Sequence, residues 1–175
     1  TASGGAAGSC DQGDSFNGGA ATIEGIELAL KKVWQADNGT VYPVSLTYTS
    51  TNAQFDSSFK SSFWGNVNAG MDLPDLPDTQ LAVSAGFEMD NGWAGDVTLY
   101  SYGSTCSVAD CTSGTEVDSY SVIDVSLSKE ISEKADIYLV MENITDEEDI
   151  VARAPKNGAR AQKPTTTTIG VRYQF

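Results

Sequence analysis

Apolar and polar residues alternate along most of the chain from residue 21 onward. Seven stretches show this period-two pattern, which indicates β-strands with one apolar and one polar face. No long helical period competes with it. We therefore predict an all-β protein built from an antiparallel sheet. The predicted strands cover residues 21–34, 42–51, 80–89, 93–102, 119–131, 135–144 and 165–175.

The connections between these strands alternate in length. They are short after the first, third and fifth strands and long after the second, fourth and sixth. Greek-key sandwiches give no reason for such regularity, whereas transmembrane barrels have short turns at one end and long loops at the other. We predict a transmembrane antiparallel up-and-down β-barrel, in which residues 1–20 form an outer loop segment and residues 21–175 form barrel strands.

The two faces of the predicted strands differ in chemistry. Small hydroxyl residues, glycines and carboxylates suit a wet barrel interior, and the apolar residues would form a lipid-facing band. Aromatic residues would lie at the edge of that band: Trp34, Tyr42, Trp93, Tyr173 and Phe175. The alternative is a soluble, secreted, acidic β-rich binding module, because any antiparallel sheet with one solvated side alternates in the same way.

Composition excludes several functions. The chain has 175 residues, a formal charge of −14 and no histidine. Such acidity repels phosphate backbones, so we expect no nucleic-acid partner. Without histidine there is no Ser-His-Asp or Cys-His pair and no histidine-containing zinc site. No carboxylate pair stands out, and we expect neither enzymatic activity nor a cofactor. The apolar runs are far shorter than a membrane helix requires.

The chain contains three cysteines, all in polar stretches, which are candidates for a disulfide or a metal site. Cys106 and Cys111 enclose a short loop and could form a local disulfide in an oxidising compartment. Their spacing does not fit a CxxC-type metal site, and we predict no metal centre. Cys10 is then either a free thiol or paired with a cysteine on a segment outside this sequence.

Three groups of residues near the end of the chain form a recognisable pattern: Asn143, Ile144 and Asp146 at the end of the sixth predicted strand, residues 164–168 with Gly170 at the entry to the seventh, and the aromatic Phe175 at its end. With these matches, residues 138–175 resemble the closing two strands of TonB-dependent outer-membrane receptors, which have a motif at the end of one strand, a characteristic entry to the last strand and a terminal aromatic. Thr145 and Ile150 depart from the motif. Upstream, the segments IEGIELAL and NAGMDLPDLPDTQLAVSAGFE are also similar to the family, so that the resemblance extends over residues 22–175.

The resemblance implies a fold and an activity. Large barrels of this architecture have 22 strands around a plugged lumen, and these residues would be about the last seven. The family imports a ferric siderophore or a similar chelate across the outer membrane of Gram-negative bacteria. Its partners would be the plug and other barrel strands, the TonB complex acting through the plug, outer-membrane lipid and the ferric chelate. The segment GARAQKP looks like that of ferric-citrate-type receptors. A passive porin-like channel is the alternative within the barrel class.

Candidate ligand residues lie near the predicted outer end. Arg153, Asn157 and Arg160 belong to a cationic stretch in the last long loop, and arginine offers a bidentate fork to carboxylates. The alternative is that these cations pair with the acidic run at residues 146–149. Tyr100 and Tyr102 are weaker candidates, which would face inward near the top of a strand.

Overall fold

The computed structural model describes residues 19–61, 64–153 and 158–175. Within these residues, the alternating stretches of the sequence form β-strands. Cys10 and Asn157 lie outside the described residues, as does nearly all of the predicted segment 1–20. The described strands are β1 (Ala21–Gln35), β2 (Val41–Phe55), β3 (Phe59–Ser61), β4 (Gly65–Val67), β5 (Thr79–Glu88), β6 (Trp93–Tyr102), β7 (Thr105–Cys106), β8 (Glu116–Val117), β9 (Tyr120–Ser132), β10 (Ala135–Glu142), β11 (Ile150–Arg153), β12 (Ala159–Ala161) and β13 (Thr166–Tyr173).

Seven of these strands form one meandering sheet in the order β1-β2-β5-β6-β9-β10-β13. Every neighbouring pair is antiparallel. The predicted number, order and direction of the main strands are therefore confirmed. Strand β2 is longer than predicted, because it continues to Phe55 instead of ending near residue 51.

Tight turns join the strands at one end of the sheet. The turns after β1 and β5 each contain a glycine with positive φ, Gly39 at 84° and Gly92 at 82°. Glycine adopts this conformation without the steric penalty that a Cβ atom imposes. Only residues 133 and 134 separate β9 from β10. The predicted short connections are confirmed.

The long connections contain secondary structure that the alternation did not predict. Three small hairpins, β3–β4, β7–β8 and β11–β12, lie within the first, second and third long connections. Their strands have two to four residues. Strands this short cannot display a recognisable period, and their pairing depends on neighbouring loops.

One face of the main sheet is apolar and uncovered. The strand registers place Leu30, Leu46, Val83, Leu99 and Ile123 in one row across five strands, and register partners share a face. Leu30 is 56% exposed and Ile169, near the other edge of the sheet, is 78% exposed. In the described part of the chain no second sheet or helix covers this face, as the lipid-facing prediction requires.

The sheet is open among the residues described. Strand β1 is paired only with β2, and β13 only with β10. No helix in the described ranges is long and apolar enough to cross a membrane.

Candidate functional site

The three long connections meet at one end of the sheet, and the first of them has its own hydrophobic core. Phe55 and Val67 are buried in this core, with Phe59, Trp64, Met71 and Leu73 packed around them. The Phe55 ring lies 5.2 Å from the Phe59 ring, edge to face. The connection is therefore a packed unit, which the aromatic residues Phe55, Phe59 and Trp64 could have indicated.

A disulfide closes the second long connection. Cys106 and Cys111 are bonded, with their Cα atoms 5.3 Å apart. Between them, Val108 and Ala109 are buried. Ala109 belongs to the same buried cluster as Phe55 and Val67. The disulfide loop is thus inserted into the core of the first connection.

The third long connection is anchored by Asn143, which is 1% exposed and has a φ of 51°. Its Nδ2 donates to the carbonyls of Glu147, at 3.0 Å, and Lys163, at 2.8 Å. Next to it, the Asp146 carboxylate accepts hydrogen bonds from the amide and hydroxyl of Thr165 at 2.9 and 3.0 Å. These bonds lower the pKa of Asp146.

The three candidate ligand residues of the third long connection, Arg153, Asn157 and Arg160, differ in where they lie. The Nε of Arg153, on β11, donates to the carbonyl of Glu116 in the second connection at 2.5 Å. Arg160 lies opposite Ala152 in the β11–β12 pair and is exposed, and Asn157 is outside the described residues. Lys163, from the same loop, forms an ion pair of 2.7 Å with Glu142.

The two tyrosine candidates lie on the polar face of β6, near the end of the strand that leads into the second long connection. Tyr102 stacks on Tyr120 of β9, with ring centroids 5.0 Å apart and planes at 26°. Tyr100 and Tyr102 line a cavity of about 300 Å³ together with Tyr120, Val122, Asp124 and Gln162. Sequence reasoning missed Tyr120, although pairing β6 with β9 in register places it directly opposite Tyr102.

A larger pocket of about 540 Å³ lies between the first and second connections. Both cysteines of the disulfide line it, and so do the side chains of Asp72, Asp78 and Glu116. Burial raises the pKa of nearby Asp75. In the part of the chain that the structure describes, no group of three or more cysteine or carboxylate side chains is arranged to hold a metal ion.

Comparisons with known proteins agree with this architecture. A family model described as "TonB dependent receptor-like, beta-barrel" matches residues 1–144. The fold is similar to the ferric-catecholate import receptor Fiu from E. coli K12 (TM-score 0.63, 17% identity, 89% of this chain and 25% of that one). It is also similar to the ferric yersiniabactin uptake receptor FyuA from Yersinia pestis (TM-score 0.66, 17% identity, 89% and 24%).

The match covers most of this chain but only part of each of the two receptors. The chain spans about a quarter of the length of each, and at 17% identity the likeness establishes the fold. The search of curated protein sequences found no match.

Proposed function

Because this chain belongs to the TonB-dependent receptor β-barrel family, we propose that it forms part of an outer-membrane transporter that imports a ferric siderophore or a similar chelate. In this proposal residues 21–175 supply a carboxy-terminal arc of barrel wall. The long connections, with the segment at residues 1–20, supply outer loops. The protein is a transporter component and catalyses no reaction.

The uncovered apolar face is the observation that carries this proposal. At the end with tight turns, Trp34 lies opposite Tyr42, and the ring of exposed Tyr173 packs edge to face against Phe175. Aromatic girdles of this kind border the lipid-facing band of outer-membrane barrels. Lys129 lies over the Trp93 ring, 5.8 Å from its centroid, and donates to the carbonyl of Asn91 in a turn. Its long stem can thus cross apolar surface while its charge reaches the interface.

The polar face supports a ligand path. The 300 Å³ cavity lined by Tyr100 and Tyr102 lies on the side that would face the lumen, and Gln162 of the third connection contributes to its wall. We propose that Tyr100 and Tyr102 contact the chelate there, and that Arg153, Arg160 and Asn157 contact it from the third loop. Arginine can hold carboxylate groups of a chelate in bidentate fashion. Fiu and FyuA, two solved structures with a similar fold, are named as import and uptake receptors for ferric complexes.

The edges of the sheet imply further strands. Exposed edge strands present unpaired N–H and C=O groups, and a barrel removes such edges by closing. We propose that β1 and β13 pair with other strands of a 22-stranded barrel. A plug inside this barrel would connect the receptor to the TonB complex.

Transport by the full-length protein tests the proposal. Expressed in a Gram-negative host that lacks its own chelate receptors, the protein should support uptake of ⁵⁵Fe from a panel of ferric siderophores, and deletion of tonB should abolish it. Tyr102→Ala should weaken chelate binding about fivefold to tenfold, as expected for the loss of one aromatic contact. Tyr42→Ala, on the apolar face, is the matched control.

Two other outcomes would favour the alternatives. Uptake that continues at full rate without TonB would indicate a passive porin-like channel. A full-length protein that stays monodisperse in buffer without detergent would indicate a soluble β-rich module, because the exposed apolar face would then have to be covered by protein.

A further inference from the structure

The disulfide-closed hairpin β7–β8 contacts both neighbouring outer loops. We propose that this hairpin is a redox-sensitive clasp: the bonded Cys106–Cys111 pair holds the first and third long connections in place, and its reduction loosens both. The clasp goes beyond the proposed transport function, since it concerns how the loops are held together and does not depend on which ligand is bound.

On one side the hairpin is attached to the first connection. Ala109, only 8% exposed, is part of the buried cluster with Phe55 and Val67. The carbonyl of Cys106 accepts a hydrogen bond of 2.8 Å from the amide of Asp75. One of the bonded cysteines therefore contacts the first connection directly, and the loop between the cysteines supplies a side chain to its core.

On the other side the hairpin is attached to the third connection. The Nε of Arg153 donates to the carbonyl of Glu116, which pairs with Cys106 in the hairpin. Val117, next along β8, lines a small cavity of about 110 Å³ together with Val151 and Ala152 of β11. The same short hairpin thus contacts two loops that are separated by 64 residues in sequence, 79–142.

The disulfide adds a covalent constraint to a hairpin whose two strands are very short. Strands β7 and β8 have two residues each and two register pairs, and two-stranded hairpins are marginal by themselves. One backbone hydrogen bond, from Ser107 to Thr115 at 2.9 Å, extends the pairing. Cross-linking the chain removes alternative conformations that the open loop would otherwise adopt.

Cys111 is exposed, so a reductant can reach the bond. Attack by an external dithiol breaks the S–S bond, and two electrons and two protons convert the pair to two thiols while the dithiol becomes a disulfide. Because both cysteines line the 540 Å³ pocket, loosening of the hairpin also changes the wall of that pocket.

Limited trypsin digestion can detect the clasp without any ligand. The second connection, residues 103–119, contains no lysine or arginine, whereas the first contains Lys60 and the third contains Arg153 and Arg160. Cleavage at these sites therefore reports on the two neighbouring loops and not on the hairpin itself. Peptide mapping of the full-length protein in detergent should compare oxidised protein, protein treated with dithiothreitol and the variant Cys106→Ala/Cys111→Ala.

We expect cleavage at Lys60 and at Arg153 or Arg160 to become about tenfold faster on reduction and in the double variant, since the cleavage rate follows the population of the open loop. Lys31, Lys32 and Lys129 lie in the main strands and should stay uncleaved, which separates loop loosening from unfolding of the barrel. Asp110→Asn, an exposed change within the same loop, should behave like the oxidised protein.

A second variant tests the direction of the coupling. Arg153→Ala removes the contact with Glu116 but leaves the disulfide and Ala109 in place, so cleavage at Arg160 should become faster and cleavage at Lys60 should stay slow. Unchanged cleavage in the first and third connections after complete reduction would overturn the proposal. Because the digestion requires neither transport nor TonB, its failure is distinguishable from failure of the proposed function.

Discussion

The Nδ2 of Asn143 donates a hydrogen bond of 2.8 Å to the carbonyl of Lys163, 20 residues later in the chain. Asn143 follows β10, and Lys163 lies shortly before β13, so the bond joins the two ends of the third long connection. Together with the bonds to Glu147 and those between Asp146 and Thr165, it fixes where this loop leaves and re-enters the sheet. The two ends of the loop that carries Arg153 and Arg160 are thus held together, and we call this part of the loop its base.

Removing the Asn143 side chain should open the base of this loop. Asn143→Gly keeps the positive φ accessible but deletes the carboxamide, leaving the Lys163 carbonyl and the Glu147 amide without their partner. Loss of such buried hydrogen bonds costs about 1–3 kcal/mol. Amide hydrogen exchange at Glu147 and Thr165 should accelerate accordingly. Asn52→Ala, an exposed asparagine on β2, should leave both amides unchanged.

Low pH should weaken the hydrogen bonds that hold the two ends of the third long connection together, because Asp146 becomes protonated. Its pKa is lowered by the hydrogen bonds from Thr165, the backbone amide first. A lowered pKa in the folded state means that the ionised group stabilises the loop above the unfolded value near 3.8, and that this stabilisation is lost as the pH falls through the folded pKa. The protection factor of the Thr165 amide should therefore decrease below about pH 4. Asp146→Asn should remove this pH dependence, and a wild-type decrease centred above pH 5 would contradict the assignment.

Tyr138 and Gly170 should show energetic coupling. The two residues are register partners on β10 and β13, and the Tyr138 ring occupies the space where a Cβ atom of residue 170 would lie. Gly170→Ala should displace the ring, together with the Arg172 guanidinium 5.8 Å from its centroid, at a cost of about 1–3 kcal/mol.

A double-mutant cycle measures this coupling. Tyr138→Ala/Gly170→Ala should be less destabilised than the sum of the single variants, by about 0.5 kcal/mol or more, because the added methyl group then meets no ring. The measurement is denaturant unfolding of the full-length protein in lipid vesicles. Strict additivity would show that the ring does not depend on the glycine.

Opposite faces of β1 should respond differently to a charge. Leu30→Arg places a guanidinium on the apolar face and should cost about 2–4 kcal/mol if that face meets the middle of a bilayer. Ala29→Arg, one residue earlier, places the same group on the polar face and should be tolerated. The yield of folded barrel in the outer membrane, measured from its altered electrophoretic mobility before and after heating, distinguishes the two. Equal yields would argue against the lipid-facing assignment.

The alternation of the sequence determined the main sheet. Each strand of β1, β2, β5, β6, β9, β10 and β13 carries a period-two pattern over eight or more residues, and short turns leave only antiparallel pairing between neighbours. The same pattern assigned Leu30 to the apolar face and Tyr102 to the polar one. The cysteine spacing is compatible with the disulfide, since residues five apart can meet within a single loop.

The arrangement of the three long connections at one end of the sheet was decided by tertiary structure. The hydrogen bond from Arg153 to Glu116, the place of Ala109 in the core of another loop and the stacking of Tyr120 on Tyr102 are contacts between residues about 18 to 54 positions apart. Strands of two to four residues leave no period in the sequence, and a single alanine carries no sign of the buried cluster to which it contributes. These contacts form only when the sheet has brought the three loops together. The alternation of the sequence therefore specifies the main sheet, and packing between the loops determines how the loops are arranged.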